Sequence, residues 1–158
     1  MRQNINWGII GLGNIALQFA HAFKDSTNSR LKGISSTNPD KIKMFQEKFS
    51  INKEYCFNNY QDLLSCDDID IIYIALPNSM HKELILKSIM NKKNILVEKP
   101  AFINLAETES IKKKVIDNNI FFSEGFMYRY TPQILKVIEL IKNDVIGKPL
   151  SMTSSFGL

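Results

Sequence analysis

The chain has 158 residues, which is enough for one well-buried domain and too few for two full-sized ones. Its composition, 44% hydrophobic and 23% charged, excludes a disordered chain, and its apolar runs are too short to span a membrane. The net charge of +4 comes from lysines scattered along predicted helix faces, so we expect no nucleic-acid partner and a cytoplasmic protein.

Apolar runs alternate with helical patterns along most of the chain. Strands are predicted at 5–10, 31–36, 55–57, 70–77, 94–98 and 120–124. Helices are predicted at 14–24, from the Asn38-Pro39 cap onward, around 60–64, from Asn78 or Ser79 onward, and after a capping box formed by Asn104 and Glu107. This alternation predicts an α/β fold of the Rossmann type, a doubly wound and mostly parallel sheet with helices on both faces.

The pattern changes after Glu124. A helix is predicted from Thr131-Pro132 to about Asn143, followed by a turn at 147–149 and an alternating strand at 150–158. We therefore divide the chain into a Rossmann domain at 1–125 and a linker helix with a first strand at 126–158. That strand would pair best with a further sheet that this sequence does not contain.

A strand followed directly by a helix frames the turn Gly11-Leu12-Gly13-Asn14-Ile15-Ala16, which fits the pattern G-x-G-x-x-A. Gly11 permits the tight turn, Gly13 lets the backbone approach a pyrophosphate, and Ala16 lets the helix pack close to the sheet. The helix N-terminus then faces the anion, and Asn14 and Ile15 belong to the same contact. The alternative is a plain bend between strand and helix.

The ribose of a dinucleotide is read at the end of the second strand. Ser36 and Thr37 stand there, Lys41 follows, and no acidic residue occurs before Asp40. A carboxylate at this place would bind both ribose hydroxyls of NAD and repel the 2′-phosphate of NADP. Its absence favours NADP, and NAD is the alternative because no arginine occurs here either.

The fourth and fifth strands end in Leu76-Pro77-Asn78 and Glu98-Lys99-Pro100. Both ends fall at the carboxyl edge of a parallel sheet, where ligands bind. An ammonium group there can donate a hydrogen bond to a substrate oxygen and move a proton as hydride moves. Lys99 is therefore the predicted catalytic residue, and the alternative is a surface lysine before a helix-breaking proline.

Two further residues near this edge are cofactor-binding candidates. His81 lies in the first turn of the helix after Asn78, and its alternative role is structural. Arg129 lies in an aromatic segment past the sixth strand, which either lines a nicotinamide pocket or packs a domain junction.

Cys56 and Cys66 match no metal or redox spacing, so we expect reduced thiols and no metal site.

Four segments in this order and spacing resemble the glucose–fructose oxidoreductase and inositol dehydrogenase family: GIIGLGNIA (8–16), IALPNSMHKE (74–83), ILVEKPA (95–101) and EGFMYRYTPQ (124–133). The last segment is most similar to the dihydrodiol-dehydrogenase branch. The resemblance implies an N-terminal Rossmann domain, a mostly antiparallel C-terminal domain, and oxidation or reduction of sugars, inositols or related polyols with NAD(P). It implies the family lysine's role for Lys99, and cofactor contacts at the turn and at Ser36, Thr37, Leu76, Pro77, Asn78, Glu98 and Arg129.

The resemblance also implies that the sequence stops where the second domain would begin. We therefore expect an N-terminal fragment that binds the cofactor and does not turn over substrate by itself, with a homo-oligomeric full-length protein. The alternative is a regulatory protein that senses dinucleotide on the same fold without catalysis, which has no need of Lys99. A free-standing nucleotide-binding module is a third possibility.

Overall fold

The computed structural model describes residues 4–155, and the chain divides into two compact units, Met1–Gly125 and Phe126–Leu158. The first unit contains a six-stranded sheet. Its strands are β1 (Ile5–Ile10), β2 (Ser29–Ser35), β3 (Cys56–Phe57), β4 (Ile71–Ile74), β5 (Asn94–Val97) and β6 (Phe122–Glu124). Their order is β3-β2-β1-β4-β5-β6 and every neighbouring pair is parallel, so the predicted doubly wound parallel sheet is confirmed.

The helices of the first unit connect these strands. They are α1 (Asn14–His21), α2 (Pro39–Phe49), α3 (Tyr60–Ser65), α4 (His81–Met90) and α5 (Leu105–Asp117). The helix predicted at 14–24 ends as a 3-10 turn over Ala22–Asp25, and the one predicted from Asn78 begins as a 3-10 turn over Asn78–Met80. Such tightening is common at helix ends.

The two faces of the sheet pack against separate apolar clusters. Along β4 the alternation is visible, since Ile72 and Ile74 join one cluster and Tyr73 joins the other. The first cluster includes Leu84 of α4 and the second includes Ala16 of α1. All four residues of β4 are buried, as expected of a central strand with helices on both faces.

Asparagine side chains cap three helices of this unit. Those of Asn38, Asn59 and Asn104 accept hydrogen bonds from backbone amides in the first turns of α2, α3 and α5. The predicted capping box at α5 forms only in part. The carboxylate of Glu107 accepts from the amide of Ile103, at 3.5 Å, instead of the amide of Asn104.

The second unit contains a 3-10 turn over Met127–Tyr130 and helix α6 (Pro132–Lys142). The strand predicted at 150–158 is not formed at 150–155, and its last three residues lie outside the described range. A strand needs a neighbour to pair its backbone groups, and residues 126–155 contain no other strand. Across residues 4–155 no helix has both the length and the apolarity needed to cross a membrane.

Candidate functional site

The glycine turn brings the ends of three strands together. The amide of Gly11 donates to the carbonyl of Ser35, 3.0 Å away, and the amide of Ala75 donates to the carbonyl of Ile10, 2.8 Å away. Gly11 has φ +89°, and a Cβ at this residue would lie 2.6 Å from the carbonyl oxygen of Ala75. Only glycine fits there without moving backbone. The turn therefore lies at the point between β1 and β4 where the strand order reverses, the usual dinucleotide position in this architecture.

Gly13, in contrast, has open space around it, because a Cβ added there would have no heavy atom within 4 Å. It is the N-cap residue of α1 and has no side chain to satisfy the helix amides. Asn14 is exposed, Ile15 is half-buried, and Ala16 is fully buried in the apolar cluster beneath. Open space before uncapped helix amides suits a phosphate-bearing ligand.

The end of β2 presents hydroxyl groups beside this turn. Ser36 is buried, its amide donates to the carbonyl of Phe57, and its Oγ accepts the amide of Asn38 at 3.1 Å. Thr37 and Lys41 are exposed. The Oδ1 of Asn38 is occupied in capping α2, and the exposed side chains beside it are those of Thr37 and Lys41.

The loops that follow β4 and β5 are joined by one imidazole. His81 is 1% exposed, its Nε2 lies 2.8 Å from the carbonyl oxygen of Leu76, and its Nδ1 lies 3.0 Å from that of Pro100. In either neutral tautomer one ring N–H donates to one of these carbonyls. Both ring nitrogens of His81 therefore face the protein, while Pro77 and Asn78 on the same loop are exposed.

The carboxylate of Glu98 is held on both oxygens. The hydroxyl of Tyr73 donates to Oε1 at 2.6 Å, and the amide of Lys99 donates to Oε2 at 3.2 Å. Burial, followed by the hydrogen bond and charge of Glu98, raises the pKa of Tyr73 well above its ordinary value. The phenol is therefore protonated, and it is the donor at neutral pH.

Lys99 itself is exposed, on a loop that is held from two sides. The Lys99–Pro100 peptide bond is cis. One residue further along, the buried Ala101 donates its amide to Oε1 of Glu124, at 2.7 Å. The lysine side chain thus projects from a backbone fixed by His81 and Glu124.

The structure brings the predicted residues of the first unit to one edge of the sheet. His81 differs from the others because its ring points into the protein. Arg129 belongs to the second unit, where its amide donates to the carbonyl of Phe126. It is exposed within the 3-10 turn over Met127–Tyr130.

Three residues with a part in this arrangement were not found from the sequence: Tyr73, Glu124 and Gly125, whose amide donates to the carbonyl of Val97 just before Glu98. Tyr73 carries a detectable signal, since a tyrosine inside an otherwise aliphatic buried strand needs a partner for its hydroxyl. Glu124 and Gly125 carry no such signal in the sequence, because their contacts depend on which strand lies beside β6.

Residues 5–126 match the family described as oxidoreductases with an NAD-binding Rossmann fold. An oxidoreductase of Formosa agariphila is 34% identical over 96% of this chain and 47% of its own length. A trans-1,2-dihydrobenzene-1,2-diol dehydrogenase of Xenopus tropicalis is 29% identical over 96% of this chain and 46% of its own length. The family resemblance drawn from the four segments is thereby confirmed.

Solved structures agree with this assignment. A 3-ketoreductase from Actinomadura kijaniata, in complex with NADP and TDP-benzene, superposes with a TM-score of 0.80 at 28% identity. The match covers 92% of this chain and 44% of that protein. The chain thus spans about half the length of the relatives that it matches.

Proposed function

Because this chain belongs to the oxidoreductase family with an NAD-binding Rossmann fold, we propose that it holds the cofactor of an NAD(P)-dependent dehydrogenase. The substrate we propose is a sugar, an inositol or a related diol, oxidised or reduced at a CH–OH group. The diol dehydrogenase and the 3-ketoreductase among its relatives support this class. The activity would belong to a longer protein, since the relatives are about twice as long.

The observation that carries the proposal is the contrast between the two glycines of the turn. Gly11 is packed against the Ala75 carbonyl, whereas Gly13 opens onto free space before the amides of α1. A plain bend requires the close packing at Gly11 but not the open space at Gly13. The residues of the first unit proposed to hold the cofactor are Gly11, Gly13, Asn14, Ile15 and Ala16 at the pyrophosphate, Ser36, Thr37 and Lys41 at the adenosine ribose, and Leu76, Pro77, Asn78, Glu98 and Lys99 at the nicotinamide half.

Among these residues, Lys99 is the one proposed to act on substrate. The bound nicotinamide would supply the chemistry of hydride transfer. The ammonium of Lys99 would donate a hydrogen bond to the substrate oxygen and pass a proton to or from it. His81 would contribute indirectly, since its ring is buried and holds the two loops from which these residues project.

The proposed cofactor preference is NADP over NAD. The end of β2 offers the exposed Thr37 and Lys41 and no carboxylate before Asp40, so nothing there repels a 2′-phosphate. The NADP-bound relative supports the same preference. We also propose a homo-oligomeric full-length protein without a nucleic-acid partner, working in the cytoplasm, where Cys56 and Cys66 would stay unpaired as they are here.

A sensor that binds dinucleotide without catalysis is the second candidate function. An exposed Lys99 on a loop held by His81 and Glu124 favours the enzyme, because a sensor does not need an ammonium placed at this edge.

Titration of the purified chain with NADPH and with NADH, followed by nucleotide fluorescence, tests the proposed function. We expect saturable binding of both and a lower Kd for NADPH. Equal Kd values would remove the preference for NADP. Absence of binding by either nucleotide would overturn the proposed cofactor site.

A further inference from the structure

We propose that Tyr73 is a positioning residue of the nicotinamide half of the cofactor site, which holds the carboxylate of Glu98 in a single orientation beside Lys99. The inference rests on the proposed function, because it assigns Glu98 to the cofactor. It goes beyond that function by naming a residue buried inside the sheet that touches neither cofactor nor substrate.

The first support is that the ring of Tyr73 is fixed. Tyr73 is 2% exposed, and its ring centroid lies 4.3 Å from that of Phe19 on α1. Phe19 in turn contacts Trp7, with centroids 5.3 Å apart. A phenol packed between a strand and a helix in this way has one available position for its hydroxyl.

The second support is the direction in which that hydroxyl points. Tyr73 pairs in register with Leu96, which packs against the same apolar cluster. Glu98 lies two residues beyond Leu96 and so returns to the same face of the sheet. The bond from the Tyr73 hydroxyl to Glu98 Oε1 therefore joins the interior of the α1 face to the loop that carries Lys99.

The third support is the space around the carboxylate. A Cβ added at Gly125 would lie 3.2 Å from Oε1 of Glu98 and 3.3 Å from the carbonyl oxygen of Val97. The amide of Gly125 donates to that same carbonyl, 2.8 Å away, so the backbone passes close to Glu98 and a side chain at this position would make an unusually tight contact with the carboxylate. Tyr73, Gly125 and the Lys99 amide together leave the carboxylate little freedom to change rotamer.

A half-exposed glutamate normally samples several rotamers and loses that freedom when it binds a ligand. Here the freedom is already removed before any ligand arrives. The expected consequence is tighter binding of groups that contact Glu98, with no effect on groups that bind elsewhere along the cleft.

The test compares wild type with Tyr73→Phe, which keeps the buried ring and removes only the donor. Two probes are titrated: NADPH, which reaches both halves of the cleft, and 2′,5′-ADP, which reaches only the adenosine half. We expect the Kd for NADPH to rise by about tenfold, the cost of ordering one long side chain on binding, and the Kd for 2′,5′-ADP to stay unchanged. A merely structural tyrosine would weaken both probes together.

Tyr55→Phe is the matched control. The Tyr55 hydroxyl also donates to a carboxylate, that of Asp68, which precedes β4 at the opposite edge of the sheet. We expect this variant to bind both probes as wild type does.

Glu98→Ala, which removes the acceptor of the Tyr73 hydroxyl, and the Tyr73→Phe/Glu98→Ala double variant complete the cycle. If Tyr73 acts through Glu98, the double variant binds NADPH no more weakly than Glu98→Ala alone. Independent, additive losses would overturn the proposal. So would wild-type affinity for NADPH in Tyr73→Phe.

A readout without nucleotide tests the contact between Tyr73 and Glu98 by itself. Alkaline titration of tyrosinate absorbance should show one tyrosine of Glu98→Gln ionising at lower pH than in wild type, because the carboxylate charge is gone. If wild type binds no NADPH, the proposed function and the positioning role both fail, even where this spectral coupling is seen. If wild type binds and Tyr73→Phe binds equally well, only the positioning role fails.

Discussion

Gly11 and Gly13 lie two residues apart in one turn and are required for different physical reasons. Gly11 needs a positive φ and a backbone without Cβ, because the Ala75 carbonyl lies against it. Gly13 has neither need in the free protein, since its surroundings are open. We therefore expect Gly11 to matter for the folding of the turn and Gly13 for its proposed binding of the cofactor.

Substitution of each glycine by alanine tests this separation. Gly11→Ala should lower the free energy of unfolding by more than the ~1–2 kcal/mol of a left-handed backbone, since the new Cβ also overlaps a carbonyl. Gly13→Ala places alanine at an N-cap, where it is less favourable than glycine, so the free energy of unfolding should fall by no more than about 1 kcal/mol. It should bind NADPH about tenfold more weakly, the loss of one hydrogen bond to a charged group. Urea unfolding and nucleotide titration measure the two effects, and wild-type NADPH affinity in Gly13→Ala would contradict the pyrophosphate assignment.

Lys99 is exposed and fixed only through its backbone, so its side chain is free to serve chemistry. In a longer protein with the proposed dehydrogenase activity, Lys99→Met should lower kcat by about 10²- to 10⁴-fold, the usual contribution of a general acid or base. The Kd for NADPH should change little, because the cofactor has many other contacts. Lys82→Met, which removes an exposed lysine paired with Glu107, is the control. Turnover that survives in Lys99→Met would assign proton transfer to another residue.

At the scale of elements, α2 begins just after the end of β2, where we propose that the adenosine ribose binds. Its N-terminus is closed by Asn38, whose Oδ1 accepts the amides of Asp40 and Lys41, and Pro39 occupies the first helical position. The same segment carries Thr37 and Lys41, so the cap holds in place the groups proposed to read the ribose.

Asn38→Ala should lower the free energy of unfolding by about 1 kcal/mol, the ordinary value of an N-cap side chain. We expect it also to weaken NADPH more than NADH, because Lys41 loses its fixed backbone. Asn58→Ala, an exposed asparagine in the loop between β3 and α3, is the matched control and should change neither property. A wild-type ratio of NADPH to NADH affinity in Asn38→Ala would show that α2 plays no part in cofactor choice.

At the scale of the whole molecule, the buried Tyr73 links stability to pH. Its pKa in the folded chain is raised, first by burial and then by Glu98. Below pH ~10 the phenol is protonated in both the folded and the unfolded chain, so the contribution of Tyr73 to the free energy of unfolding does not change with pH. Above that pH the unfolded chain releases a proton that the folded chain keeps, so stability falls by about 1.4 kcal/mol per pH unit.

Urea unfolding at a series of alkaline pH values tests this linkage. The slope of unfolding free energy against pH should be less steep in Tyr73→Phe by about 1.4 kcal/mol per unit, while the remaining tyrosines and lysines contribute equally to both proteins. Identical slopes would mean that Tyr73 ionises freely in the folded chain.

Much of the fold could be predicted because its signals are local. Strand β1 lies at the predicted residues 5–10, and the Asn38-Pro39 start of α2 is as expected, since an apolar run or a cap depends on neighbours in sequence. The glycine turn is equally local. The strand predicted at 150–158 is wrong over residues 150–155 because strand formation depends on a partner that the alternating pattern does not identify.

The residue pattern was sufficient to predict the succession of strands and helices along the chain, the parallel sheet, the glycine turn and the catalytic candidate Lys99. It could not predict which polar groups meet in the folded chain, as with Lys93, a buried lysine that donates to the carbonyls of Cys66 and Ile69. The same holds for His81, turned inward, and for Tyr73 and Glu98, 25 residues apart. The physical reason is that hydrogen bonds between loops depend on which strands lie side by side, and this lateral order is fixed by packing across the whole sheet.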